Sequence, residues 1–115
     1  MQYSAFVATP SALSYAAASI LIAISNGHQY GFDVMDCTGL PSGTVYPALR
    51  RLEDAGCVSS LWERESLAQK DQRPVRKYYR VTRAGEATLQ AALRRYPLLE
   101  RAASDLRQSK RASMP

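Results

Sequence analysis

Six basic side chains lie close together in a short stretch of the second half of the chain. They are Lys70, Arg73, Arg76, Lys77, Arg80 and Arg83, and Asp71 is the one acidic residue between them. A local net charge of +5 suits the binding of a polyanion, of which nucleic acid is the commonest. A second interpretation is a charged surface that only keeps the protein soluble.

Charge is also distributed unevenly along the whole chain. Residues 1–49 contain no Lys or Arg and two acidic residues, Asp33 and Asp36, which give a net charge of −2. Residues 50–115 contain all 15 basic residues and the other eight acidic ones, which give +7. An anionic partner is therefore expected to contact the second half of the chain.

Residues suited to enzymatic chemistry are few. The single histidine, His28, lies at a predicted helix start and leaves a Ser-His-acid triad or a multi-histidine metal site almost nothing to build from. Asp33 and Asp36 share a helix face without a third ligand, and no glycine-rich phosphate-binding motif occurs. Cys37 and Cys57 match no Cys-x-x-Cys spacing and have apolar neighbours, which predicts two buried thiols without a redox role. We expect no enzyme, no metal and no cofactor.

The composition is that of one folded domain. The chain has 115 residues, of which 46% are hydrophobic and 22% charged. The stretch from Ala12 to Ile24 is interrupted by serines and is too short to span a membrane. No Lys or Arg precedes Arg50, so the positive start of a secretory signal is missing. These features predict a cytoplasmic protein without a membrane segment.

Three helices are predicted before the basic stretch. The first begins near Ser11, which is able to cap it, and ends at Asn26-Gly27. The second runs from about Tyr30 to Thr38. The third, from Ser42 to Ala55, buries an apolar stripe with helical spacing. Its apolar residues are Val45, Ala48, Leu49, Leu52 and Ala55.

A hairpin and a last helix follow. Residues 57–65 and 75–82 favour two strands, joined by a long polar tip at 66–74. Alternation in the second strand turns Tyr79 and Val81 inward and leaves Arg76 and Arg80 in water. Thr82 is able to cap a final helix, in which Pro97 introduces either a kink or a break.

This order predicts a mostly helical α+β fold, the winged helix-turn-helix, in which the third helix enters the DNA major groove and the hairpin forms the wing. The predicted DNA contacts are Ser42, Thr44, Tyr46, Pro47, Arg50 and Arg51 on the third helix and Lys70, Arg73, Arg76 and Lys77 on the wing. An alternative is that Arg50 and Arg51 only form a solvent-exposed helix face, on which Glu53 and Asp54 partly neutralise their charge. Trp62 and the tyrosines are expected to pack a core, with a ligand site as the alternative.

Three segments resemble the PadR-like family of transcriptional regulators. Residues 43–56, Gly-Thr-Val-Tyr-Pro-Ala-Leu-Arg-Arg-Leu-Glu-Asp-Ala-Gly, together with 58–63, are similar to its recognition-helix signature. Residues 28–33 are similar to its H-G-Y-x-[IV] segment, with Gln29 in place of the glycine, and residues 76–85 to its R-R-x-Y-x-L-T-x-x-G strand. The resemblance implies a homodimeric DNA binder, usually a repressor, that dimerises through its C-terminal helix and is often released by a small aromatic or drug-like effector.

An apolar stripe on the last helix also favours a homodimer. It consists of Leu89, Leu93, Tyr96, Leu99, Ala103 and Leu106. The spacing is close to that of a helix seam, and the part after Pro97 is expected to lie too far from the hairpin to be covered by its own domain. The chain is thus predicted to divide into an N-terminal segment (1–10), a winged helix (11–82), a dimerisation helix (83–108) and a flexible basic tail (109–115).

The sequence therefore predicts a repressor that binds an inverted-repeat operator in double-stranded DNA as a homodimer. Two alternatives stay open. The basic wing could contact an acidic protein, which would make the chain a protein-interaction module. An apolar pocket at a dimer interface could instead make it a ligand-sequestering protein.

Overall fold

Three helices form the first half of the fold. The computed structural model describes residues 13–112, without the side chains of 106, 107 and 109–112. The helices are α1 (Tyr15–Ser25), α2 (Gly31–Thr38) and α3 (Ser42–Asp54). Ser14 caps α1 by accepting a 3.0 Å hydrogen bond from the Ala17 amide, so α1 begins later than predicted. The expected cap Ser11 and the segment 1–10 lie outside the described residues.

The wing is an antiparallel pair, β1 (Val58–Trp62) and β2 (Lys77–Val81), in a register that runs from Val58 opposite Val81 to Trp62 opposite Lys77. The tip between them is not the polar loop that was predicted, because it holds a short helix, α4 (Glu65–Lys70), whose Ala68 is buried. Six residues give too little periodicity to recognise a helix in the sequence. The Tyr79 amide also donates a 2.7 Å hydrogen bond to the Gln29 carbonyl, which fastens the wing to the α1–α2 connection.

The last helix is divided, which was one of the two predicted outcomes. α5 (Arg83–Leu93) and α6 (Pro97–Ala112) are separate, and Pro97 is the first residue of α6, where its missing amide hydrogen breaks no helical bond. α6 runs on past residue 108 through residues assigned to the tail, since no strong helix breaker precedes Ala112. Residues 113–115 of that tail lie outside the described residues.

The core corrects the expectation about the apolar stripe. Leu89, Leu93, Leu99 and Ala103 are buried within one chain, in the same cluster as the residues of α1. Tyr96 is half-buried and donates a 3.1 Å hydrogen bond to the Leu13 carbonyl. The break at Pro97 lets α6 turn back over the domain, so this stripe needs no second subunit to cover it. The side chain of the sixth residue, Leu106, lies outside the described part.

The cysteines differ from each other. Cys57 is buried as predicted, but Cys37 is exposed, which contradicts the prediction of two buried thiols. Cys37 lies in the last turn of α2, whose buried residues are Gly31 and Val34, and both thiols are free. Partial desolvation, together with the charges of Asp33 and Asp36, raises the pKa of the Cys37 thiol, which disfavours the reactive thiolate.

The arrangement is a winged helix, mostly helical with one two-stranded sheet, as predicted. α1 lies at the centre, where seven of its eleven residues are buried, and α2, α3, α5 and β2 pack around it. That position explains why α1 carries no charge, since an unpaired charge in this core would be strongly destabilising. None of the described helices combines the length and apolar character needed to cross a bilayer.

Candidate nucleic-acid interface

The outward face of α3 carries the side chains predicted to contact DNA. Its other face packs Val45, Ala48, Leu49 and Leu52 into the core. The six predicted contacts are all at least partly accessible: Ser42, Tyr46, Pro47, Arg50 and Arg51 are exposed and Thr44 is partly exposed. The helical period thus separates a packing face from a polar, basic face on one element.

Arg50 and Arg51 are available for a partner. Neither arginine forms an ion pair within the described residues. The alternative in which Glu53 neutralises them is not what the structure shows, since Glu53 faces the wing. Its Oε2 accepts a 2.5 Å hydrogen bond from the Ser60 hydroxyl, and its Oε1 lies 3.4 Å from Lys77 Nζ.

The contacts of Glu53 connect the recognition helix to the wing. The hydrogen bond from Ser60 and, less strongly, Lys77 lower the pKa of this carboxyl group, which therefore stays ionised. Lys77 Nζ also lies 5.6 Å from the ring centroids of Trp62 and Tyr79. Lys77 is thus partly engaged within the chain, and it fixes the position of β2 relative to α3.

Arg73 is held at the base of the wing tip. Its Nη1 and Nη2 donate to the two carboxylate oxygens of Glu63 at 2.6 and 2.7 Å, and Nη2 lies 3.3 Å from Asp71 Oδ2. The Arg76 amide adds a 3.2 Å hydrogen bond to Glu63 Oε1. These bonds, Arg73 foremost, lower the pKa of Glu63 to about 2 and raise the pKa of Arg73. A fork-to-fork pair of this kind closes the tip and leaves less of the guanidinium for DNA.

Arg76 is only partly exposed and packs on an aromatic ring, so the expectation that strand alternation leaves it in water holds only in part. It precedes β2, and its guanidinium stacks over the Tyr30 ring at 4.0 Å. Within the described residues its one side-chain hydrogen bond is a 3.4 Å contact from Nη1 to the Tyr78 hydroxyl. Arg80, by contrast, is exposed as predicted, and Tyr79 is buried. Arg76 is therefore a cation held in place by the Tyr30 ring, and most of its N–H donors have no acceptor among the described residues.

Two exposed cations complete the basic surface of the wing. Lys70 ends α4, and Arg64 precedes it; neither forms an ion pair with any residue in the described part. Arg64 was not among the predicted contacts, because it precedes the basic stretch that begins at Lys70. Its position at the end of the predicted first strand was the signal that could have included it.

Metal-ligating side chains do not gather in the described part of the chain. No group of three or more His, Cys, Asp or Glu side chains lies close enough there to hold a metal ion. His28 Nδ1 lies 3.1 Å from Asp33 Oδ1, and both side chains are about one-third exposed. This pair fits a contact that closes the α1–α2 connection.

Comparisons with known proteins identify one family of transcription regulators. A family model described as Transcriptional regulator PadR-like family matches residues 20–91. A PadR family transcription regulator from hypervirulent Clostridium difficile R20291 superposes with a TM-score of 0.62 at 22% identity, covering 80% of this chain and 97% of that one. The smu.1704 protein from Streptococcus mutans UA159 gives 0.58 at 26% identity, covering 76% and 83%. A PadR family transcriptional regulator from Eggerthella lenta DSM 2243 gives 0.54 at 22%, covering 90% and 94%. No curated protein matches the sequence.

Proposed function

Because the chain belongs to the PadR-like family of transcriptional regulators, we propose that it is a repressor that binds an inverted-repeat DNA operator as a homodimer. Membership of the family makes it a DNA-binding transcription regulator. The observation that carries the proposal further is the outward face of α3, where Arg50 and Arg51 are exposed without an intramolecular ion pair in the described structure.

The proposed base contacts lie on α3. Arg50 and Arg51 have the forked donors that read guanine edges, and Ser42, Thr44, Tyr46 and Pro47 line the same accessible face. On the wing, Lys70 and Arg64 are the freest phosphate contacts. Lys77 and Arg76 are held in place by neighbours and would bind phosphate with their remaining donors. Arg73 would act mainly by shaping the tip, with Glu63 as its partner.

The proposed dimer uses a surface that the described residues leave exposed. Leu98 on α6 is 72% exposed and Tyr15 on α1 is 53% exposed. The rings of Tyr15 and Tyr96 meet edge to face at 5.3 Å, which brings the start of α1 next to the start of α6. A twofold partner packed here would cover both side chains with the same surface of its own chain. Two α3 helices would then read adjacent major grooves, about 34–36 Å apart.

The test is a footprint on the promoter of the protein's own gene. We expect protection of an inverted repeat, with an affinity that falls steeply as salt rises because bound phosphates release counterions. A scrambled duplex of the same composition is the control. Binding that is absent from both duplexes, or that salt leaves unchanged, would favour the alternative of a protein-interaction module with an acidic partner.

A further inference from the structure

An open groove of about 630 Å³ lies between α2, α3 and the wing. Tyr30 and Phe32 line it from the start of α2, Tyr46 from α3 and Trp62 from β1. The segment from Arg73 to Lys77 forms the wing side. Because Tyr46 belongs to the outward face of α3, the groove opens on the same side of the domain as that face.

The groove exposes aromatic surface. Phe32 is 71% exposed, Trp62 62% and Tyr46 46%, so three rings from three separate elements face solvent around one groove. Trp62 was expected to pack a core, but it leaves most of its surface uncovered. The ring of Tyr30 is different, because the Arg76 guanidinium covers one of its faces at 4.0 Å from the centroid. Three rings thus keep surface that a bound molecule can cover.

The charges around the groove have one sign. Arg73, Arg76 and Lys77 line it, and none of the described residues that line it is acidic. Arg73 and Lys77 are partly satisfied by Glu63 and Glu53. Arg76 is held by the Tyr30 ring, while most of its N–H donors have no acceptor among the described residues. The groove therefore offers charge-assisted hydrogen bonds to an anion such as phosphate.

Exposed rings beside cations favour a nucleic acid strand whose bases are unpaired. Phe32 has no hydrogen-bonding group and Trp62 has a single donor, so both are poorly suited to read the edges of paired bases. Their rings can pack against the flat face of a base, but in a duplex the neighbouring base pairs cover those faces. In a single strand the faces are open, and stacking on aromatic side chains along a basic groove is the common mode of binding.

We propose that this groove binds single-stranded nucleic acid, with unpaired bases stacked on Phe32, Tyr46 and Trp62 and phosphates on Arg76 and Lys77. This activity goes beyond the proposed function, because it needs neither a paired operator nor a second subunit. The site shares Tyr46, Arg76 and Lys77 with the proposed operator contacts. The first substitutions that test it are therefore made at the two rings outside that set.

The first experiment compares two octamers that carry the same number of phosphates. One is oligothymidylate, and the other consists of abasic nucleotides, so that only the bases differ. At one fixed salt concentration we would follow the emission of Trp62, the only tryptophan of the chain, with calorimetry as a second measurement. We expect oligothymidylate to quench Trp62 and to bind at least about tenfold more tightly, because each stacked base adds to the affinity. Oligouridylate of the same length distinguishes an RNA strand from a DNA strand, and tight binding of either one supports the proposal.

Substitutions of the exposed rings locate the site. Phe32→Ala should weaken the binding of oligothymidylate about tenfold and leave the abasic octamer unchanged, since the ring carries no charge. Trp62→Ala, followed by calorimetry, should have the same effect. Leu61→Ala is the matched control, because Leu61 is also well exposed, neighbours Trp62 in β1 and does not line the groove. Circular dichroism would check that each variant is folded.

The cation is tested separately. Arg76→Gln should weaken the binding of both octamers and reduce the slope of log affinity against log salt by about 0.7, the value for one phosphate of a single strand. Arg80→Gln is the matched control, because Arg80 is an exposed arginine of β2 that does not line the groove. It should leave the slope nearly unchanged.

Two outcomes would overturn the proposal. Equal affinity for the two octamers, or no binding of either, would exclude base stacking in the groove and favour an acidic protein as the partner of its cations. Oligothymidylate binding that neither ring substitution weakens would place the strand elsewhere on the protein. None of these titrations contains a duplex, so they decide on the groove whether or not the protein binds an operator, and the proposed function is decided by the footprint alone.

Discussion

Gly31, the first residue of α2, lies directly against the ring of Tyr46 on α3. A methyl group added at Gly31 would lie 2.4 Å from both Cε1 and the hydroxyl oxygen of Tyr46, far inside van der Waals contact. The absence of a side chain at Gly31 therefore sets the position of an exposed ring on the proposed DNA-reading face.

Gly31→Ala should weaken operator binding more than it weakens folding. The tip of Tyr46 is a flexible end and can swing away, so the fold survives, whereas the displaced ring costs about 1 kcal/mol or more of binding, as expected for a single lost base contact. In a Tyr46→Ala background the same glycine substitution should have no further effect, because the two changes act through one contact. Affinities of the two single variants and the double variant provide the measurement. Additive losses would show that Gly31 acts on DNA binding by another route.

Gly85→Ala should destabilise the whole domain. Gly85 is buried in the first turn of α5, and an added methyl group would lie 2.0 Å from the backbone carbonyl oxygen of Cys57, which cannot rotate away. The expected loss of unfolding free energy is about 1–3 kcal/mol, typical of overpacking, measured by urea denaturation. Gly43→Ala is the control, because nothing lies within 4 Å of the added methyl group and α3 should gain up to about 1 kcal/mol. Equal stability of the two variants would contradict the close approach of α5 to Cys57.

The pair of Glu63 and Arg73 should make stability depend on pH in the acidic range. Arg73 lowers the pKa of Glu63 from 4.5 to about 2. Because the folded-state pKa is depressed, the stabilisation is complete above about pH 4.5 and is lost as the pH falls towards 2. Wild type should therefore be more stable than Glu63→Gln at neutral pH, and the difference should shrink across this window in urea titrations. A Glu63→Gln difference that does not change with pH would contradict the role of this ion pair.

Basic residues of α3 and basic residues of the wing should have different effects on DNA binding when they are replaced. Arg50→Ala should cost about 1–3 kcal/mol and relax sequence preference, since this arginine is proposed to read a base. Lys70→Ala and Lys77→Ala should weaken binding to all sequences alike and each reduce the slope of log affinity against log salt by about one. Arg94→Ala, exposed at the end of α5, is the matched control and should change neither. Fluorescence anisotropy on operator and scrambled duplexes over a salt series gives all of these values. A salt slope left unchanged by both lysine substitutions would remove the wing from the proposed interface.

Leu98→Glu should convert the proposed dimer into a monomer. Because the proposed interface is symmetric, two carboxylates, one from each copy, would lose their hydration in it. Light scattering should report the change in mass, and operator binding should weaken because two linked half-site contacts become one. Leu61→Glu places the same charge on a comparably exposed leucine of the wing and should leave the mass unchanged. A wild-type protein that is monomeric, or a Leu98→Glu variant that remains dimeric, would refute this interface.

Residue types and their spacing were enough to predict the order of the elements and the half of the chain that carries the positive charge. Val45, Ala48, Leu49 and Leu52 recur at helical spacing because one side of α3 must be buried, and that requirement is visible in residue types alone. The change of period after Gly56 revealed the wing, and the segments at 28–33, 43–56 and 76–85 indicated the family.

Contacts between side chains that are distant in sequence could not be predicted in this way, because they depend on how the elements pack together. In the sequence Arg73 has no evident partner, and it is the closed hairpin that brings Glu63 to it. The stripe through Leu99 and Ala103 similarly suggests a dimer seam, but the break at Pro97 turns α6 back onto α1. Neither contact follows from a repeating pattern in the local sequence, because each depends on the angle at which one element packs back against another. For the same reason the rings of Phe32, Tyr46 and Trp62 form a groove that no segment of the sequence contains.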